Sequence, residues 1–303
     1  MSARYDRSMH GRGEDGRTQP GRLLITGGSG YLGRVLAARA RADWDVTVTR
    51  LTQPGSGPAL DVCDAAAVGR LIGRLRPDVI VHTAYRQSGE EMVNVNVAGA
   101  GNVARAAAGV GARLVHLSTD LVFDGERPRG GYSEDDVASP ITEYGRSKLA
   151  GEGAVAAVAP DALIVRTSLI YGGDRPGPHE EMVLDALDGR RDVAFFSDEM
   201  RCPIVADDLV EALLDLARQP VSGPLHVAGA DAVSRFMFAQ LVAASHGRDP
   251  APLRSALSSA ARPPRPLNCA LDCSRAGDLL ATPLRGVRAV LGAGVPHVGQ
   301  SLH

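Results

Sequence analysis

The feature that most constrains the fold is a glycine-rich turn placed directly after the first apolar segment. The segment RLLIT (Arg22–Thr26) runs into TGGSGYLG (Thr26–Gly33), and a helical pattern follows. Gly27 permits a tight turn, Gly30 lets the backbone approach a pyrophosphate, and Gly33 allows close packing of helix on strand. Because a helix N-terminus also attracts phosphate charge, this order predicts a dinucleotide-binding site.

Short β-branched segments then alternate with longer segments of helical spacing. The four further predicted strands are DVTVTR (Asp45–Arg50), DVIVHTA (Asp78–Ala84), RLVHLST (Arg113–Thr119) and ALIVRTS (Ala162–Ser168). Strands that alternate with helices predict a doubly wound, Rossmann-type α/β fold, with a parallel sheet covered on both faces.

The domain organisation follows from where this alternation holds. It spans residues 22–170, the predicted dinucleotide-binding domain, and loosens afterwards. Residues 171–303 are therefore predicted to form a smaller, interleaved substrate-binding lobe, with segments that return to the core. Residues 1–21 are polar and are predicted to be a disordered tail, since a secretory signal needs an apolar segment of about 7–15 residues.

Composition excludes several classes of protein. The chain is 44% hydrophobic and 22% charged with a formal net charge of -2, which indicates a soluble globular protein without a nucleic-acid partner. No apolar segment approaches the roughly 20 residues that span a bilayer. The four cysteines form no CxxC pair, so free thiols in a reducing cytoplasm are expected rather than a metal site.

Two cationic positions stand out. Lys148, in EYGRSKLAGE, is the only lysine among 33 Lys and Arg residues. A compact ammonium differs from a guanidinium where it must point at one atom or tune a neighbour's pKa, so a functional role is expected. The second strand ends at Arg50 without the acid that would bind the ribose of NAD. Arg50, helped by Arg34, favours NADPH over NADH.

Nine motifs occur in the order typical of a known superfamily. They are TGGSGYLG, ALDVCD, PDVIVHTA, VNVAGAGN, LSTDLVFDG, YSEDD, YGRSKLAGE, VRTSLIYG and RCPIVADDL. The chain resembles the extended short-chain dehydrogenase/reductases, and within them the dTDP-4-dehydrorhamnose reductase-like branch, for which STD-x-VFDG is characteristic. The resemblance covers residues 22–217 well and the last third loosely.

The resemblance assigns a catalytic group. Tyr144 and Lys148 match the Tyr-x-x-x-Lys pair of the superfamily, and a spacing of four places both on one helix face. The Lys148 ammonium is expected to lower the pKa of the Tyr144 phenol and to hold the nicotinamide ribose. Thr119 corresponds to the residue that hydrogen-bonds the substrate oxygen. Asn96 corresponds to an asparagine that holds a water in the proton relay behind the lysine.

The resemblance also implies binding residues. The expected cofactor-binding residues are Gly27, Gly30, Tyr31, Leu32, Gly33, Arg50, Asp61, Val62, Thr83, Ala84, Tyr85, Tyr144 and Lys148. The expected substrate-binding residues are Thr119, Asp120, Tyr144 and Arg201.

The function implied is NADPH-dependent reduction of the 4-keto group of a nucleotide-linked, 4-keto-6-deoxy sugar, with dTDP as the expected nucleotide. Related dehydratases need a second carboxylate after Asp120, where this chain has Leu121. Two alternatives stay open: an NAD-dependent sugar-nucleotide 4-epimerase with the same Tyr and Lys, and a dinucleotide-binding regulatory subunit without turnover. A homodimer is expected only as a habit of the family.

Overall fold

The computed structural model describes residues 20–52 and 57–292. The strands are β1 (Gly21–Thr26), β2 (Trp44–Val48), β3 (Val79–His82), β4 (Arg113–Thr119), β5 (Leu163–Thr167), β6 (Ile170–Tyr171), β7 (Ala194–Phe196), β8 (Met200–Arg201), β9 (Ile204–Val205), β10 (Gly223–His226), β11 (Val233–Ser234) and β12 (Arg254–Ala256). The α-helices are α1 (Tyr31–Ala40), α2 (Ala65–Leu75), α3 (Ala100–Val110), α4 (Glu143–Val158), α5 (Pro178–Leu187), α6 (Ala206–Leu216), α7 (Arg235–Ser245), α8 (Ser274–Leu279) and α9 (Val287–Leu291).

The described residues also contain three short helices of other types. A π-helix covers Asn94–Gly99, and 3-10 helices cover Asp120–Val122 and Ser258–Ala260. The predicted disordered tail lies almost wholly outside the described residues. Its last residue, Gly21, was assigned wrongly, because it pairs with Trp44 at the start of β1.

The main sheet has the strand order β10-β5-β4-β3-β1-β2 within the described residues, and all its neighbouring strands are parallel. This arrangement confirms the predicted Rossmann-type fold. The chain passes from β1 to β2 on one side and then returns to place β3 on the other side of β1. Ligands of open parallel sheets bind at such a reversal, beyond the carboxyl ends of the strands.

Helices cover both faces of the sheet because alternate strand residues point to opposite sides. Leu23 and Ile25 of β1 join one apolar cluster, which includes residues of α1 and α6. Leu24 joins another, which includes residues of α2, α3 and α4. The strands are therefore apolar without alternation, as expected for a sheet buried on both faces.

The last third of the chain divides between the sheet and a smaller layer. The strand β10 pairs with β5, and α6 packs on α1, so these segments belong to the core. The helices α5, α7 and α9 pack together with the short β7–β12 pair around a cluster that contains Phe195 and Phe238. The C-terminal segments thus build one wall beside the carboxyl ends of the sheet strands.

The four cysteines are free thiols, and Cys202 and Cys269 are buried. Among the helices of the described ranges, none combines the length and the apolar character that a membrane span requires.

Candidate active site

The glycine turn is packed as closely as its sequence predicts. Gly27 has φ of +73°, and a Cβ there would lie 2.8 Å from the Cα of Ala84. A Cβ at Gly33 would lie 2.5 Å from the carbonyl oxygen of Gly27. Gly30 precedes α1 as its N-cap, so the first amides of that helix face the turn. A backbone this bare at a helix N-terminus fits the pyrophosphate of a dinucleotide.

A cavity of about 400 Å³ opens beside this turn and extends to the C-terminal wall. Most predicted site residues line it, namely Gly27, Gly30, Tyr31, Leu32, Gly33, Thr83, Tyr85, Thr119, Asp120, Tyr144, Lys148 and Arg201. The structure therefore brings Thr119, Tyr144 and Lys148 into one space with the glycine turn.

Five predicted residues lie outside the lining of this cavity. Arg50 bridges to Ala59 at the edge of the sheet, and its Nε donates to the Gly57 carbonyl oxygen at 3.3 Å. Asp61 accepts a hydrogen bond from the Cys63 amide at 2.9 Å. The other three are Val62, Ala84 and Asn96; Val62 is buried beside Gly99, and Ala84 packs behind Gly27.

Asn96 is buried in the π-helix, and both its amide nitrogen and its amide oxygen form hydrogen bonds within the protein. Its Nδ2 donates to the Arg86 carbonyl oxygen at 2.8 Å and to Ser147 Oγ at 2.9 Å, while its Oδ1 accepts from the Arg86 amide at 2.9 Å. These bonds tie the loop after β3 to α4. The proton-relay role expected for Asn96 stays a prediction.

The helix α4 presents Tyr144 and Lys148 on the face that borders β4. Its N-cap, Thr142, accepts a hydrogen bond from the Gly145 amide at 3.0 Å. Lys148 is buried, and its Nζ donates to the Leu117 carbonyl oxygen at 2.6 Å. Tyr85 lies across from both, with its ring centroid 6.1 Å from that of Tyr144 and 6.0 Å from the lysine Nζ.

The pKa of Tyr144 is raised in this structure, opposite to the expected lowering, and the effect of Lys148 on that pKa stays a prediction. Burial raises the pKa of Tyr144 well above 10, with smaller contributions in the same direction from Tyr85 and Asp120, and the Thr119 hydroxyl only partly opposes the rise. The ammonium is directed at the Leu117 carbonyl instead. Burial also lowers the pKa of Lys148 from 10.5 to about 8.

Thr119 ends β4 with its hydroxyl in the cavity. The hydroxyl donates to Asp120 Oδ1 at 3.1 Å and accepts from the Leu121 amide at 3.2 Å. Its neighbour Ser118 instead donates to the buried Glu152, which distinguishes the two hydroxyls. Burial raises the pKa of Asp120, although Arg201 and the 2.6 Å hydrogen bond from Ser168 Oγ counteract it.

The opposite wall carries a cluster of guanidinium groups around a buried carboxylate. Glu199 is fully buried and accepts hydrogen bonds from Arg265 and, at 2.8 Å, from Ser258 Oγ. Arg201 and Arg235 approach the same carboxylate at 3.6 and 3.9 Å. Burial would raise the pKa of Glu199, but these partners outweigh it and hold that pKa below its ordinary value.

Arg201, which is expected to bind substrate, is also held by contacts within the protein. Its guanidinium is 2% exposed and donates to the carbonyl oxygens of Met200, Leu267 and Pro266 at 2.7, 3.3 and 3.1 Å. Arg235 and Arg265 line the same cavity. Sequence reasoning missed both, because two more arginines carry no signal in an arginine-rich chain.

A dinucleotide turn that shares one cavity with a tyrosine–lysine pair is the arrangement of an extended short-chain dehydrogenase/reductase, a class of NAD(P)-dependent oxidoreductases. The comparison with known proteins agrees. The family model described as the RmlD substrate binding domain matches residues 21–298, and the chain belongs to this family.

Individual relatives include both enzymes and a subunit of another enzyme. The chain is 40% identical to a dTDP-4-dehydrorhamnose reductase of Mycolicibacterium smegmatis, over 89% of this chain and 84% of that protein. It is 31% identical to methionine adenosyltransferase 2 subunit beta of Xenopus tropicalis, over 86% and 84%. The structure matches that of dTDP-4-dehydrorhamnose reductase from Bacillus anthracis in complex with NADP, with a TM-score of 0.79, 26% identity and coverage of 91% and 99%. These findings confirm the predicted family and oxidoreductase class.

Proposed function

We propose that this protein reduces the 4-keto group of a dTDP-linked 4-keto-6-deoxy sugar with NADPH. The observation that carries the proposal is the shared cavity, in which Thr119, Tyr144 and Lys148 border the glycine turn at Gly27 and Gly30. The relatives named as reductases of this substrate class support it. Confinement of ketone and reductant in one cavity supplies the proximity that the reaction needs.

Bound NADPH supplies the hydride. Tyr144 donates a proton to the oxygen of the former carbonyl, and its raised pKa keeps the phenol protonated until that oxygen becomes basic. The Thr119 hydroxyl turns from Asp120 to donate to the same oxygen, since a hydroxyl hydrogen rotates freely. The Lys148 ammonium, fixed on the Leu117 carbonyl, places a positive charge behind the reacting atoms.

The guanidinium cluster is suited to the substrate diphosphate. Among the described residues, the carboxylates paired with Arg201, Arg235 and Arg265 are those of Glu199 and Asp120, so positive charge is in excess there. Guanidinium groups bind phosphate oxygens through paired, charge-assisted hydrogen bonds. We assign the phosphate contacts to Arg235 and Arg265, while Arg201 holds the wall together through its backbone partners.

The proposed preference for NADPH over NADH rests on the positive charges of Arg34 and Arg50 near the glycine turn. Arg34 donates to the Ser29 carbonyl oxygen at 3.0 Å, inside the glycine turn, and Arg50 follows β2. A 2′-phosphate placed there meets cationic rather than acidic side chains. The relative solved with NADP supports the same preference.

The test follows absorbance of reduced nicotinamide with purified protein, NADPH or NADH, and a dTDP-4-keto-6-deoxyglucose pool. Sugar-dependent oxidation that prefers NADPH is the expected result. The Tyr144→Phe variant should lose at least about 100-fold in kcat/KM and keep its affinity for NADPH. Dinucleotide binding by the wild type without oxidation of either cofactor would refute the proposal.

One observation favours a second candidate, a regulatory subunit. The relatives named as methionine adenosyltransferase 2 subunit beta match most of the chain at about 30% identity. Activity of a methionine adenosyltransferase, measured with and without this protein and NADPH, separates the two candidates. A change in that activity with no ketone reduction supports the subunit, whereas reduction that Tyr144→Phe abolishes supports the enzyme.

A further inference from the structure

One imidazole in the cavity wall has no part in the proposed mechanism. His179 is the second residue of α5 and lines the cavity. Its Nδ1 is buried and has no hydrogen-bond partner within the described residues. Native proteins satisfy nearly all buried polar atoms, and a buried polar atom left unpaired is destabilising. Because His179 lines the cavity, this ring nitrogen is a candidate for a hydrogen bond to a bound ligand.

The helix that carries His179 is fixed to the glycine turn. The Glu180 carboxylate accepts hydrogen bonds from the amides of Gly172 and Gly177, both at 2.7 Å. The Tyr31 hydroxyl donates to the Gly172 carbonyl oxygen, and a Cβ at Gly177 would lie 2.7 Å from the Tyr31 ring. These contacts join α1 to the first turn of α5, so the imidazole is held at a defined position in the cavity.

The electrostatic environment keeps this imidazole neutral. Burial lowers the pKa of His179 to about 4, and the positive charge of Arg235 acts in the same direction. A neutral imidazole donates with one nitrogen and accepts with the other. Such a group recognises an uncharged hydroxyl, whereas the neighbouring guanidinium groups of Arg235 and Arg265 suit phosphate.

His179 lines the same cavity as the arginines and the Thr119–Tyr144 pair, and the chemistry of the substrate narrows the choice of hydroxyl. The diphosphate of a nucleotide sugar is attached at C1, and the reacting ketone is at C4. If arginines hold the phosphates while Thr119 and Tyr144 hold the ketone, the sugar carbons C2 and C3 span the space between them. We propose that His179 hydrogen-bonds the hydroxyl at C2 or C3 and thereby determines which keto sugars are accepted. This inference rests on the proposed function.

The test compares substrates and variants in one cycle. The substrates are dTDP-4-keto-6-deoxyglucose and its 2-deoxy and 3-deoxy analogues, and the proteins are wild type, His179→Leu and His179→Gln. The wild type should prefer the complete sugar over one analogue by about tenfold in kcat/KM, because that analogue leaves the imidazole unpaired. His179→Leu should lose this preference, and His179→Gln should keep part of it.

His246→Leu is the matched control, since this second histidine contacts Glu180 at 3.9 Å but does not line the cavity. It should keep the wild-type preference, and all variants should keep the wild-type affinity for NADPH. Turnover by His179→Leu with an unchanged preference would overturn the inference alone. Absence of turnover by the wild type with every keto sugar would overturn the proposed function, and the inference with it.

Discussion

Replacement of Lys148 by methionine should stabilise the protein while it abolishes turnover. Burial lowers the pKa of Lys148 from 10.5 to about 8, so the fold disfavours the charged ammonium. That difference corresponds to about 3 kcal/mol. The variant also loses the 2.6 Å hydrogen bond to the Leu117 carbonyl oxygen, which reduces this gain in stability by about 1 kcal/mol. We therefore expect Lys148→Met to raise the free energy of unfolding by about 2 kcal/mol at pH 7.

The difference in stability between the wild type and Lys148→Met should depend on pH in a defined direction. Below pH 8 the lysine is protonated in both folded and unfolded chains, and the destabilisation is complete. Between about pH 8 and 10.5 the unfolded chain binds the extra proton, so the stability of the wild type rises with pH relative to the variant. The advantage of Lys148→Met should shrink over that range.

Urea unfolding at pH 7, 8.5 and 10 measures both effects, and Lys148→Arg is the control that cannot lose its charge. The arginine variant should be less stable than the wild type at every pH. A methionine variant that is less stable at pH 7, or whose advantage does not change with pH, would contradict the reasoning. It would mean that Lys148 is hydrated or better paired than its surroundings indicate.

Three further substitutions, one of them with a matched control, test other parts of the site. Gly33→Ala places a Cβ 2.5 Å from the Gly27 carbonyl oxygen. It should reduce the free energy of unfolding by about 1–3 kcal/mol and weaken NADPH binding. The control is Gly69→Ala, whose added Cβ would have no neighbouring atom within 4 Å and should raise the melting temperature. Arg50→Ser should raise the KM for NADPH about tenfold with little effect on NADH, and an unchanged ratio in steady-state assays would exclude Arg50 as the selector. Glu199→Gln should lower the free energy of unfolding by about 3 kcal/mol at pH 7. The difference from the wild type should disappear as the pH falls through the lowered pKa of Glu199. Equal urea midpoints of the two proteins at neutral pH would refute this.

The elements that the sequence predicts best are those defined by local chemistry. The predicted fourth strand has the bounds of β4, and the glycine turn lies where its strand and helix require. The spacing of Tyr144 and Lys148 is also local, because a helix places residues four apart on one face. Such features depend on few residues, so one sequence is enough to recognise them.

Features that depend on tertiary surroundings were not predictable. The pKa of Tyr144 rises mainly because the phenol is buried, and the Lys148 ammonium donates to the Leu117 carbonyl oxygen; neither fact follows from the spacing of the pair. The carboxylate of Glu199 and the guanidinium of Arg265 are 66 residues apart in sequence and meet only through the fold. His179 lies in a segment whose glycines and prolines predict only a loop and a helix start.

The late arrival of β10 has a consequence for how the protein must be made. The edge of β5 remains unpaired until Gly223–His226 has been synthesised, after the whole segment that carries α5 and α6. A nascent chain that ends before Gly223 therefore exposes a strand edge and the apolar residues that β10 covers. The main sheet therefore cannot be completed until the segment that carries α5 and α6 has also been synthesised.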